Sequence, residues 1–148
     1  MLPLAQSRLP DPDLEPGFYS GVLVKRGVAW IADVTLITLL TLAASLLTLG
    51  VGFFLWPILS LGIGVAYRVA TLASGSATWG MRLMGIELRG HDGQRFDPVQ
   101  AVLHVAGYYA SIIVVVPALA SVAAMLVTGR RQGLTDLILG STALNRPS

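Results

Sequence analysis

The chain has 148 residues, 54% hydrophobic and only 12% charged, with ten lysines and arginines, eight acids and no cysteine. A charged fraction about half that of a soluble domain excludes an ordinary water-soluble core and points to a single-domain, all-α polytopic membrane protein. The absence of cysteine removes disulfides, thiolate metal sites and thiol nucleophiles, and a net charge of +2 carried beside apolar segments points to topology and anionic lipid headgroups rather than nucleic acid.

Residues 1–24 contain Pro3, Pro10, Pro12 and Pro16 with Asp11, Asp13 and Glu15, which prevents a regular helix and predicts a disordered or surface-lying tail. The basic pair Lys25-Arg26 comes after this acidic leader and the next apolar run is too long, so no signal peptide is expected. The first transmembrane helix is expected from about Arg26 to Leu49, roughly 35 Å. Gly50-Val51-Gly52 makes a tight, uncharged turn into a second helix, from about Phe53 to Ala73, antiparallel and adjacent to the first. Trp30 marks the inner interface and Phe53, Phe54 and Trp56 the outer one. Gly62, Ala66, Ala70 and Ser74 recur every four residues, the spacing of a close helix-packing face. Arg68, near the inner end of this helix, is expected to snorkel.

Ser74-Gly75-Ser76-Ala77-Thr78 begins a loop. Ile86-Glu87-Leu88-Arg89 alternates like a short strand, Gly90-His91-Asp92-Gly93 is a turn, and Gln94-Arg95-Phe96 is the expected returning strand. The positive-inside rule places the N-terminus and residues 74–98 in the cytoplasm. The last apolar stretch, Val99 to Thr128, is long for one crossing and carries Pro117 in its middle. It reads either as a surface helix over about Pro98–Ala110 followed by one crossing, or as a helical hairpin bent near Pro117. The hairpin is preferred because it keeps Arg130-Arg131 inside. The expected architecture is a small bundle of two long transmembrane helices and a proline-broken third segment, with a short cytoplasmic β-like loop. One membrane domain covers residues 25–144, between tails at 1–24 and 145–148.

From Val28 to Leu49 the only ionisable side chain is Asp33. A charge within a membrane helix is retained only if it is paired, hydrated or used. Arg26 lies two turns away on the same face, about 10 Å along the axis, so a water or a third group is expected to mediate; Asp136 is a candidate, because in the hairpin topology it returns to the cytoplasmic end where Arg26 sits. Arg82, His104, Arg130 and Arg131 are secondary candidates. Thr38, Thr41, Ser45 and Thr48 form a hydroxyl stripe that reads first as helix packing and second as a cation path. His104 reads as an interfacial histidine or a protonatable one, and Tyr108 and Tyr109 as interfacial aromatics. His91 has no companions at metal-ligand spacing. No phosphate-cradling glycine loop and no catalytic triad spacing is present, so neither an enzyme nor a cofactor is expected.

Arg26 and Asp33, with Asp136 in Arg130-Arg131-Gln132-Gly133-Leu134-Thr135-Asp136-Leu137-Ile138-Leu139-Gly140-Ser141-Thr142, resemble the RDD family, small and mainly bacterial membrane proteins named for one arginine and two aspartates. Gly80-Met81-Arg82-Leu83-Met84-Gly85-Ile86 followed by Asp92-Gly93 is similar to that family's glycine-basic loop. Met81 stands where the family usually has lysine, and His104 near where an arginine often opens the last apolar segment. The resemblance covers about residues 18–144 and implies a multi-pass protein of the bacterial inner membrane. Two roles are open: a structural or accessory component, self-associated or beside a larger complex, and cation/proton transport with Asp33 as the binding group. The lipid bilayer is the one certain partner expected.

Overall fold

The computed structural model describes residues 8–113 and 115–146. A single 3-10 turn, Pro16–Phe18, leads into α1 (Val22–Leu47), followed by α2 (Val51–Phe54), α3 (Trp56–Gly75), α4 (Trp79–Leu83), β1 (Ile86–Arg89), α5 (Pro98–Ile113), α6 (Val115–Val127), α7 (Leu134–Leu139) and β2 (Thr142–Asn145). The helices that begin the chain and α3 are long and apolar enough to cross a membrane; α5 and α6 pass that test only as a pair, bent by 115°. α3 starts three residues later than expected because α2 takes up one turn of its own after Leu49 and Gly50, both at positive φ. Pro117 marks the bend between α5 and α6, as expected: the residue four before it is Ile113, the last of α5, whose carbonyl a proline can neither donate to nor pack beside. It sits in the first turn of α6, where a missing N–H leaves no hydrogen bond unmade.

Burial is inverted relative to a soluble bundle. Leu47, Phe54 and Ile58 are 85%, 90% and 72% exposed, whereas Asp33, Thr41, Ser45, Arg68 and Thr71 are buried. Apolar side chains facing outward and polar ones inward is what a lipid solvent selects.

The expected packing stripe is corrected by this arrangement. Gly62, Ala66, Ala70 and Ser74 all face outward, and a Cβ built on Gly62 meets nothing within 4 Å. The buried face of α3 is instead Gly64, Arg68, Thr71 and Leu72. The reason lies in α1 and α5: the buried Asp33 needs a cation opposite it, so Arg68 turns inward, and a Cβ on Gly64 would overlap the hydroxyl of Tyr109. Arg68 therefore does not snorkel; it is 6% exposed.

The strand expected at Gln94-Arg95-Phe96 is also corrected. β1 pairs antiparallel with β2, in register Ile86 with Asn145 through Arg89 with Thr142. Residues 94–96 contribute only one bridge, Arg89 with Arg95. Phe96 leaves the ladder because its ring enters the core of Val22, Leu72, Ile86, Leu88, Ala101, Val105 and Ala143, with its N–H on Ser76 Oγ at 2.9 Å. Lys25 Nζ donates to Asn145 Oδ1 at 2.6 Å. The start of α1, the link from α3 to α5 and the residues after α6 are thus gathered at one end, the sheet end. The described part of the N-terminal segment lies there too: Leu9 and Tyr19 are buried against Leu144, and Arg8 N–H donates to His91 O at 3.1 Å. Residues 1–7 and 147–148 of the two tails lie outside the described residues.

Candidate functional site: two aspartates on one cavity

Asp33 lies on the buried face of α1 with Ala29, Ile37 and Thr41. Its Oδ1 accepts from the Tyr67 hydroxyl at 2.6 Å and Gly80 N–H at 2.9 Å, and its Oδ2 from the Thr78 hydroxyl at 2.6 Å. The Thr78 oxygen also caps α4 by accepting from Met81 N–H at 3.2 Å. Asp33 therefore ties the first turn of α4 to the middle of α1, and the partial positive charge of that helix start favours a carboxylate there. Only Gly80 allows the approach: an added Cβ would overlap the carbonyl oxygen of Ala29 and stand 2.7 Å from Asp33 Oδ1.

Asp136 repeats the arrangement on α7. Its Oδ2 accepts from Arg26 Nη1 at 2.6 Å and from Gly133 N–H, at the start of that helix, at 3.2 Å. Its Oδ1 accepts from the Ser141 hydroxyl at 3.0 Å and lies 3.6 Å from His104 Nδ1. Arg26 Nη1 also reaches Arg131 O at 3.4 Å. The expected triad is thus divided in two. Arg26 pairs with Asp136 directly, without a mediating group, while Asp33 has its own guanidinium in Arg68, at 3.9 Å. Seven helical residues put Arg26 and Asp33 too far apart to touch, and each found a partner on another element.

A cavity of about 420 Å³ joins the two halves, with Arg26, Asp33, Arg68, His104 and Asp136 all on its wall. Tyr108, expected as a plain interfacial aromatic, is part of this site. Its hydroxyl accepts from Trp30 Nε1 at 2.6 Å and from Arg68 Nη2 at 3.3 Å, and its ring lies 4.3 Å from the Arg68 guanidinium. Tyr67, Arg68 and Thr78 were not among the expected site residues. A signal for Arg68 was present: Asp33 stands 17 residues before Gly50 and Arg68 stands 17 after Val51, so an antiparallel pair folding at that turn sets them level. His104 is buried with its ring edge-on to Phe96.

The remaining candidates lie elsewhere. Arg82 closes the end of α3, donating to Thr71 O at 3.2 Å and Ala77 O at 3.1 Å. Arg131 Nη1 caps α6 at Leu126 O, 2.9 Å, and Arg130 offers its carbonyl to Thr142 Oγ1 at 3.0 Å. In the hydroxyl stripe, Thr38, Thr41 and Thr48 donate to carbonyls of their own helix, and only Thr41 and Ser45 are buried while Thr38 and Thr48 are exposed, so the four do not line one enclosed path. Among the described residues no cluster of three or more histidines and acids is placed for a metal ion.

Burial by itself pushes the Asp136 carboxyl up, but the charges of Arg26 and His104 and the hydrogen bonds from Arg26 and Gly133 hold it below its ordinary value of 3.8. A lowered folded value means that this carboxylate stabilises the fold above 3.8 and that the contribution is lost as pH falls through the lower folded value. The melting-temperature difference between wild type and Asp136→Asn, followed in detergent, should therefore be constant near neutral pH and shrink below pH 3.8. A gap that widens on acidification would contradict this.

The chain matches the model of the RDD family over residues 21–140, a stretch that contains Arg26, Asp33 and Asp136. No curated protein and no solved structure matches it. With its two long apolar helices the match fits a membrane protein. The chain belongs to the RDD family.

Proposed function

We propose that the protein is a non-catalytic structural or accessory component of the bacterial inner membrane, acting as a homo-oligomer or as a small subunit beside a larger complex. The observation that carries this reading is that both carboxylates are satisfied by groups of the fold itself. Every oxygen of Asp33 and Asp136 already accepts a hydrogen bond from a group fixed by the fold. Each carboxylate accepts three hydrogen bonds, at 2.6–3.2 Å, on its roughly four acceptor sites, so a transported cation would have to compete with these charge-assisted bonds. The two aspartates fit clamps that hold α4 and α7 against α1. The outward Gly62, Ala66, Ala70 and Ser74 face suits a neighbouring helix, of a second copy or of a partner. Lys25, Arg26, Arg82, Arg89, Arg95, Arg130 and Arg131 lie in segments gathered at the sheet end, so the positive-inside rule supports a cytoplasmic N-terminus and an α5–α6 pair that returns to the side it started from.

Cation/proton transport through Asp33 is the second reading, favoured by one feature: Asp33 and His104 open on the same cavity. Liposomes holding the purified protein and a pH-sensitive dye separate the two. The first reading predicts no cation-driven proton movement in wild type, with Asp33→Asn lowering only yield and melting temperature. Wild-type flux that vanishes in a folded Asp33→Asn protein would establish the second.

A further inference from the structure

The cavity wall has an imbalance between donors and acceptors. Its formal charges cancel, with Arg26 and Arg68 against Asp33 and Asp136, but its hydrogen-bonding capacity does not. Each carboxylate already accepts three hydrogen bonds, as described above. Arg68 is not. Of its five N–H groups, one reaches Tyr108 at 3.3 Å, Nη1 stands 3.9 Å from Asp33, beyond hydrogen-bond range, and Nε is buried with no partner. The three shorter bonds to Asp33 hold that carboxylate where it cannot close on Arg68. His104 Nδ1 is likewise buried without a hydrogen bond, on the same wall. Unmade bonds of a guanidinium in an apolar surround are costly, so the site is complementary to a group that brings acceptors. Most of the rest of the wall is apolar, with Trp30, Leu72, Val105, Ile112, Val122 and Met125, and only the hydroxyl residues Thr78, Tyr108, Ser111, Ser121 and Thr135 interrupt it.

We propose that this cavity binds an amphiphile with an oxyanion head, carboxylate or phosphate, the head on Arg68 beside His104 and one acyl chain along Ile112, Val122 and Met125. A volume of about 420 Å³ lies within the range of small-molecule pockets, whose few polar groups set orientation while apolar walls take up the bulk of the ligand. The planar fork of arginine suits an oxyanion better than a lysine would. The oxyanion has two sources, a membrane lipid or a free ion.

Trp30, whose indole donates to Tyr108 beside Arg68, is a built-in reporter. Trp56→Phe and Trp79→Phe leave it as the one tryptophan of three. The full-length protein in phosphatidylcholine nanodiscs is titrated with dibrominated stearate, with dibrominated stearyl alcohol as the chain without the oxyanion. Trp30 is 45% exposed, so either brominated chain in the bilayer quenches it in proportion to its amount; a saturable component from the carboxylate and none from the alcohol is expected. Arg68→Lys, which keeps the charge but loses the fork, and Val122→Phe, which fills the chain end without touching any charge, should each weaken binding about tenfold. Inorganic phosphate that displaces the stearate makes a free oxyanion the occupant; failure to displace it makes the occupant a lipid. Equal quenching by alcohol and carboxylate, no saturable quenching at all, or affinity unchanged in both variants overturns the proposal.

Discussion

Arg26→Gln should be among the most damaging single substitutions in this chain. Asp136 is 1% exposed, and Arg26 Nη1 is the permanently charged group beside it, at 2.6 Å. Removing one partner of a buried pair leaves an uncompensated charge, which costs about 3–5 kcal/mol, far more than the pair contributes over two neutral groups. A loss of that size is a large share of a typical domain's stability. The single variant should therefore be recovered in much lower yield and should melt well below wild type in detergent. Arg26→Gln combined with Asp136→Asn removes both charges, and the double variant should be more stable than either single one, a coupling that a thermodynamic cycle measures directly. Single variants that melt with wild type, or a double variant that merely sums their losses, would show that the two groups do not depend on each other.

Gly80→Ala is the second large effect. The new methyl group meets the Ala29 carbonyl oxygen and Asp33 Oδ1 at once. Neither is the free end of a flexible side chain, since one is helix backbone and the other is held by three hydrogen bonds. Relief requires α4 to move away from α1, which stretches the Gly80 N–H bond to Asp33. Overpacking costs about 1–3 kcal/mol, and weakening a hydrogen bond to a buried charge about 1.5–3 kcal/mol more. Gly62→Ala is the matched control, because a Cβ there meets nothing within 4 Å, and it should keep or slightly raise the melting temperature of the protein in detergent, since alanine is favoured over glycine inside a helix by about 0.5–1 kcal/mol. Equal behaviour of the two alanine variants would mean that the contact between α1 and α4 is not tight.

These expectations also show what could be read in advance. The two long helices were legible from the length of their apolar runs, and Asp33 from its isolation within the first of them. Asp136 was singled out by the resemblance of residues 130–142 to the RDD family, and topology, which keeps Arg130-Arg131 on the side of the other basic residues, placed it beside Arg26. Arg68 was misread because an arginine near a helix end ordinarily reaches for the interface. Only its level with Asp33 across the turn marks it as a partner, and that relation is visible once the antiparallel pair is assumed. The sheet was misread for a different reason. β2 is four residues, Thr142–Asn145, and its partner lies more than 50 positions earlier, so no window along the chain contains both. The nearer segment at 94–96 had the better local pattern but lost its side chain to the core. The packing face of α3 failed because a small-residue repeat says where helices can approach closely, while a buried charge decides which face must turn inward.

The tie between Lys25 and Asn145 spans 120 positions, and that between Arg26 and Asp136 spans 110. Synthesis runs from N- to C-terminus, so while α1, α3, α5 and α6 are being made, Arg26 has no Asp136, and Ile86–Arg89 presents a bare ladder edge, which is prone to pair with other chains. Completion of the fold falls to residues 130–146, which leave the ribosome after every long helix. Chains halted upstream of Leu134 would keep all their apolar helices yet lack the latch, and should be recognised by membrane quality-control proteases as unfinished.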